Sequence, residues 1–165
     1  MTPETALCDT VRFTALRVEA YLATQEDDPW IVTAGVLMAQ QAAAIALRAA
    51  GDSIPAQAGA TELLLRAASE DRLPAPFTLP FRAATRMNFD RLVEARNAFM
   101  HPRGALWHIS RDTLARGLPV AARSVRHLIV TQPVLADLVS PTQQVQLKAA
   151  LSDIETWAEF MQEPD

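Results

Sequence analysis

The chain has 165 residues, of which 50% are hydrophobic and 21% are charged, and its formal net charge is −4. This composition is that of a soluble globular protein and excludes a disordered or collagen-like chain. A chain of this length buries roughly 70% of its unfolded surface. The single cysteine, Cys8, excludes an internal disulfide and a cysteine-rich zinc site. We therefore expect one domain over residues 1–165.

The first two predicted helices have the clearest apolar periodicity and the clearest ends. The first is predicted over residues 4–24. Asp28 has the side chain of an N-cap and Pro29 suits a first helical turn, so the second helix is predicted over residues 29–50, ending before Gly51. This second helix is apolar almost all round, which predicts the central helix of a bundle and not a membrane span.

The rest of the chain is also predicted to be helical. A short helix over residues 61–72 and a stiff proline-rich connector precede a longer helix over residues 81–101. One or two turns follow near residue 115, then a helix that Pro119 begins. A last helix is predicted over residues 141–161, with Ser140 as its N-cap. No segment has the alternation of a strand, so the predicted fold class is all-α.

The helix over residues 81–101 ends in polar residues where apolar ones are expected. Its apolar stripe passes through Phe89, and Arg96 occupies a position on that stripe. A guanidinium is costly there unless it is paired or faces a ligand or partner. Asn97 and His101 are four residues apart and share a face, and Pro102 opens the final turn after His101.

Each of these polar residues also has an ordinary structural interpretation. Arg96 would pack its stem and keep its charge in water. His101 would cap the helix or interact with its dipole, and Asn97 would be a cap. The three together in an apolar segment are more specific than any one alone.

The run from Arg96 to His101 resembles the signature of the HEPN superfamily, the higher eukaryote and prokaryote nucleotide-binding domains. That signature is an arginine, a polar residue directly after it, and a histidine four to six residues beyond the arginine, near a helix end. The architectural resemblance covers about residues 5–130. It implies an up-and-down bundle of four to six helices.

The resemblance also implies a function, that of a metal-independent endoribonuclease with a toxin or phage-defence role. Arg96, Asn97 and His101 would be its catalytic residues, RNA its substrate and a 2′,3′-cyclic phosphate its product. No metal or cofactor is expected. HEPN proteins commonly form homodimers with facing motifs, and toxin members pair with an antitoxin protein. Some carry a modified tyrosine two residues after the motif histidine; Arg103 stands there in this chain, so that regulation is not expected.

Arginines surround the motif. Residues 82–126 contain nine arginines against three acidic residues, a local balance of +6 within a chain of net charge −4. Because guanidinium groups suit phosphate geometry, the segment is a candidate phosphate-binding zone. We expect Arg91, Arg103 and His108 to contribute to it. The alternative is that these arginines are ordinary solvated surface.

Two other functions fit the same sequence. The chain would be a non-catalytic helical module, HEPN-like or unrelated, that binds a nucleotide, a nucleic acid or a partner protein. Otherwise it would be a structural bundle in which Arg96 pairs with Glu94, Asp90 or a distant carboxylate. The N-terminus lacks the pattern of a signal peptide, so we expect the cytoplasm as location and no membrane contact.

Overall fold

The structure, a computed structural model, describes residues 1–101, 107–132 and 137–162. The described residues form six α-helices and no β-strand, which confirms the all-α prediction. The helices are α1 (Pro3–Thr24), α2 (Pro29–Ala49), α3 (Ala60–Ala67), α4 (Ala83–Met100), α5 (Arg111–Val125) and α6 (Pro141–Gln162).

The central helix is α2, as predicted from its composition. It packs against α1, α3, α4 and α5, while α6 closes the bundle against α1 and α5. Within the part of the chain described, α2 is the one helix long and apolar enough to cross a membrane, and 67% of that stretch is buried by the bundle. Its apolar surface is therefore largely used in packing against the other helices.

Predicted caps set the ends of several helices. The Asp28 side chain accepts a hydrogen bond from the Trp30 amide at 3.0 Å and so caps α2. Gly51 follows α2 with φ +83°, a conformation that glycine adopts without strain. At the start of α6, Ser140 and Gln143 each accept a hydrogen bond from the other's amide, which makes a capping box.

Two glycines let α5 approach α2 and α4 closely. A methyl group at Gly35 in α2 would lie 2.7 Å from Leu118 Cδ2 of α5. One at Gly117 in α5 would lie 3.0 Å from Leu92 Cβ and 3.1 Å from the Asn88 carbonyl oxygen, both in α4. These contacts pack α5 closely against α2 and against α4, the helix that carries the motif.

The predicted start of a helix at Pro119 is wrong, because Pro119 lies inside α5. The helix α5 runs through Pro119 without a break and continues into a π-helical turn over Arg126–Val130. Proline has no amide hydrogen, so it leaves the carbonyl of Ala115, four residues earlier, without its helical partner. Gln162 of α6 donates its side-chain amide to that oxygen at 3.0 Å. A tertiary contact thus replaces the lost helical bond.

The third helix is shorter than predicted, since it ends at Ala67 and not near residue 72. The Ala67 carbonyl accepts the Leu79 amide at 2.9 Å, which ties the proline-rich connector back to the bundle. Leu79 is only 5% exposed. The Ala67 carbonyl, which would accept the next hydrogen bond of a longer helix, therefore binds the connector instead.

Candidate functional site

The three motif residues lie in one cleft between α2 and α4. These helices are antiparallel. Trp30 near the start of α2 contacts Phe99 near the end of α4, with ring centroids 5.9 Å apart, and Gly35 further along α2 lies beside Leu92 earlier in α4. The cleft has a volume of about 280 Å³. Its lining residues are Thr33, Leu37 and Gln40 from α2, and Arg96, Asn97, Met100 and His101 from α4.

Arg96 is half-buried in this cleft and binds its neighbour Asn97. Its Nε and Nη2 donate to Asn97 Oδ1 at 3.1 and 2.7 Å. None of the ion pairs among the described residues includes Arg96. Within those residues, the expected alternative of a pair with Asp90 or Glu94 is wrong; Asp90 binds Thr61 and Arg86 instead. The positive charge is left uncompensated by any described carboxylate.

Asn97 connects the arginine to the histidine. Its side-chain oxygen accepts from Arg96, and its backbone oxygen accepts the His101 amide at 3.0 Å. His101 is the C-cap of α4, so the ordinary structural interpretation of its backbone holds. Its imidazole is exposed and makes no hydrogen bond within the described residues. The ring is therefore available to a ligand.

The cleft has the chemistry of an anion site. Its lining includes a guanidinium, a carboxamide and an imidazole, and it includes no carboxylate among the residues described. A guanidinium that already has a fixed orientation loses less conformational freedom when it binds a phosphate. The arrangement can hold a phosphodiester and place an imidazole beside it.

The α2 side of the cleft was not predicted. Thr33, Leu37 and Gln40 follow each other at helical spacing, and Leu37 is 40% exposed although α2 is mostly buried. Gln40 donates to the Ala58 carbonyl at 3.0 Å, which fixes its side chain. The polar Gln40 within an apolar helix could have indicated a functional position on α2. The sequence did not show, however, that α4 lies opposite it.

Two of the residues expected to bind phosphate around the motif, Arg91 and His108, are not among the described residues that line this cleft. Arg91 precedes Arg96 by five residues on α4. At 3.6 residues per turn, the two side chains are therefore about 140° apart round the helix. Arg91 faces another groove, 3.9 Å from Asp112 Oδ2. His108 Nδ1 lies 2.7 Å from Asp27 Oδ2, and Arg103 lies outside the described residues.

The arginines of residues 82–126 are distributed over several faces, and a number of them have acidic partners. Arg86 pairs with Asp90, as noted above, and Arg116 pairs with Asp112. Arg126 reaches Glu155 of α6 at 3.2 Å. The local balance of +6 therefore does not translate into one uniformly basic surface, and Arg96 differs from these arginines in lacking a described carboxylate.

Among residues 1–101, 107–132 and 137–162, no group of three or more histidine, cysteine or acidic side chains could hold a metal ion. Comparison of the chain with protein-family models, with curated proteins and with solved structures gave no match.

Proposed function

We propose that this chain is a metal-independent endoribonuclease of the HEPN type, with Arg96, Asn97 and His101 as its active-site residues. The observation that supports the proposal best is the environment of Arg96, a partly buried residue whose guanidinium has no described carboxylate partner and lies in a cleft shared with His101. The resemblance of residues 96–101 to the HEPN signature supplies the reaction class.

The proposed reaction uses the nucleophile that RNA itself carries. A base removes the 2′-OH proton, the 2′-oxygen attacks the adjacent phosphorus, and the bond from phosphorus to the 5′-oxygen breaks. An acid protonates the leaving 5′-oxygen, which gives a 2′,3′-cyclic phosphate and a 5′-hydroxyl. Imidazole performs such proton transfers near neutral pH. The Arg96 guanidinium would stabilise the charge on the phosphorane, and Asn97 would orient the phosphate or the imidazole.

A second copy of the chain completes the proposed site. The reaction has two proton transfers, whereas the cleft of one protomer has one histidine among its described lining residues. The other two histidines are engaged elsewhere, His108 with Asp27 and His127 with the Phe77 carbonyl. A homodimer with facing motifs would bring two copies of His101 together. The antitoxin partner, the toxin or defence role and the cytoplasmic location stay predictions from the sequence.

A non-catalytic binding module is the second candidate, and the single histidine of each cleft favours it. A monomer with one imidazole and one guanidinium that has no described carboxylate partner would bind a phosphodiester or nucleotide without cutting it. The two candidates share the phosphate contact to Arg96. They differ in whether RNA is broken.

The test is cleavage of a mixed RNA by the purified protein in EDTA. We expect the wild type to produce fragments with 2′,3′-cyclic phosphate ends, and an RNA with 2′-deoxyribose at the cut site to stay intact. His101→Ala and Arg96→Ala should each lower the rate at least 100-fold, since general acid–base catalysis contributes roughly 10²–10⁴-fold and one donor that stabilises transition-state charge contributes roughly 10²–10³-fold.

Two matched variants control this experiment. His108→Ala removes an exposed histidine outside the cleft, and Arg91→Ala removes an arginine on another face of α4. Both should keep the wild-type rate. Absence of cleavage, or equal cleavage by all variants, would reject the ribonuclease, and RNA binding without cleavage would establish the second candidate instead.

A further inference from the structure

Trp30 is exposed at the end of the α2 stripe that lines the cleft. Residues 30, 33, 37 and 40 repeat at helical spacing, and the last three of them line the cleft. Trp30 is 52% exposed, although a tryptophan side chain normally buries most of its surface. It lies about 4.5 Å beyond Thr33 along the helix axis, at 1.5 Å per residue.

The Trp30 ring packs against a second aromatic ring. Phe99 contacts it edge to face at 5.9 Å, and Trp107 contacts Phe99 in the same manner at 5.7 Å. Trp107 is held in turn by a hydrogen bond from its Nε1 to the Ala95 carbonyl at 3.0 Å. The other part of the Trp30 surface stays open to solvent. A fixed, open aromatic surface loses little freedom when it binds a flat ligand.

The position of Trp30 matches the end of the cleft that contains the histidine. Because α2 and α4 are antiparallel, the start of α2 lies beside the end of α4, where His101 follows Met100. Met100 is itself 54% exposed, so this end is open. A nucleotide with its phosphate on Arg96 would have a base within reach of the indole.

We propose that Trp30 stacks on a nucleobase of the single-stranded RNA whose phosphate Arg96 binds. The inference rests on the proposed function, because it takes the cleft to hold an RNA phosphodiester. Any base offers a flat face, so the contact favours unpaired over duplex RNA without selecting one sequence. Trp30 would position the strand, and it would take no part in proton transfer.

The test measures binding of two oligonucleotides that cannot be cut. The first is a 2′-fluoro RNA tetranucleotide, which lacks the attacking hydroxyl, and the second has the same backbone without bases. Base–aromatic stacking makes the wild type bind the first probe more tightly, by roughly 5- to 100-fold in Kd. Trp30→Leu should lose this preference yet bind the base-free probe as the wild type does, and Trp30→Phe should keep most of it.

Phe160→Leu is the matched control, since Phe160 is a similarly exposed aromatic residue on α6, at 54%. It should bind both probes as the wild type does. The inference is overturned if Trp30→Leu weakens both probes equally, if it leaves the preference unchanged, or if the wild type binds neither probe. Conversion of a dimer to a monomer by Trp30→Leu in light scattering would also overturn it, because Trp30 would then belong to a protein interface.

Cleavage of ordinary RNA, measured in parallel, separates this inference from the proposed function. A base preference that depends on Trp30, without cleavage, would support the stacking contact and reject the ribonuclease. Cleavage that depends on His101, without any base preference, would reject the stacking contact alone.

Discussion

At the scale of single residues, the Arg96–Asn97 contact and the Asp52–Arg66 contact show two uses of arginine. Arg66 Nη2 lies 2.8 Å from both carboxylate oxygens of Asp52, so the two side chains form an ion pair beside the end of α2. Arg96 instead binds a neutral amide. The first arrangement stabilises the fold, while the second keeps a charge available to a ligand.

The Asp52 pair predicts a pH-dependent stability. The hydrogen bond from Arg66 lowers the Asp52 pKa below its ordinary value of 3.8. A carboxyl group with a lowered pKa in the folded state stabilises the fold above its unfolded pKa, and this contribution is lost as the pH falls through the folded pKa. Urea unfolding should therefore show Asp52→Asn less stable than the wild type near pH 7, with the difference disappearing at acidic pH.

Asp153→Asn is the control for this titration, because the exposed Asp153 carboxylate makes no hydrogen bond in the described part of the chain. It should unfold at the wild-type urea concentration at both pH values. A difference between wild type and Asp52→Asn that stays constant from neutral to acidic pH would contradict the assignment.

At the scale of helices, the local signals predicted most ends, and the tertiary contacts changed two of them. The caps at Asp28 and Ser140 and the glycine at 51 act through neighbours in sequence, so they could be recognised directly. Pro119 was misplaced because the group that accommodates it, Gln162, comes from a helix 43 residues later. The early end of α3 has a similar cause in Leu79.

The Gln162 contact gives a prediction for the stability of α5. Gln162→Ala would leave the Ala115 carbonyl without a partner, and a hydrogen bond of this kind contributes about 1 kcal/mol. We expect the free energy of unfolding in urea to fall by that amount. Gln146→Ala, on an exposed turn of the same helix, should change it by less than about 0.5 kcal/mol. Equal effects of the two substitutions would contradict the proposed role of Gln162.

At the scale of the whole molecule, the cleft arises from helices that are distant in sequence. The motif residues of α4 could be singled out because Arg96 interrupts an apolar stripe and His101 shares a face with Asn97. The opposing residues of α2 could not, since both helices pack on α5 through close approaches, at Gly35 for α2 and at Gly117 for α4, that the sequence does not reveal. Arg91 was grouped with Arg96 by counting charge along the sequence, although helical spacing alone separates the two on α4 and Arg91 lines another groove.

We propose Arg96 as the phosphate contact of the cleft, and the salt dependence of binding measures that contact most directly. The 2′-fluoro RNA tetranucleotide would be titrated against wild type, Arg96→Gln and Arg91→Gln at several salt concentrations. We expect at least tenfold weaker binding by Arg96→Gln, with the slope of log K against log salt reduced by about 0.7, which corresponds to one phosphate contact on a single strand. Arg91→Gln should leave affinity and slope nearly unchanged. Equal losses in the two variants, or none in Arg96→Gln, would contradict the claim.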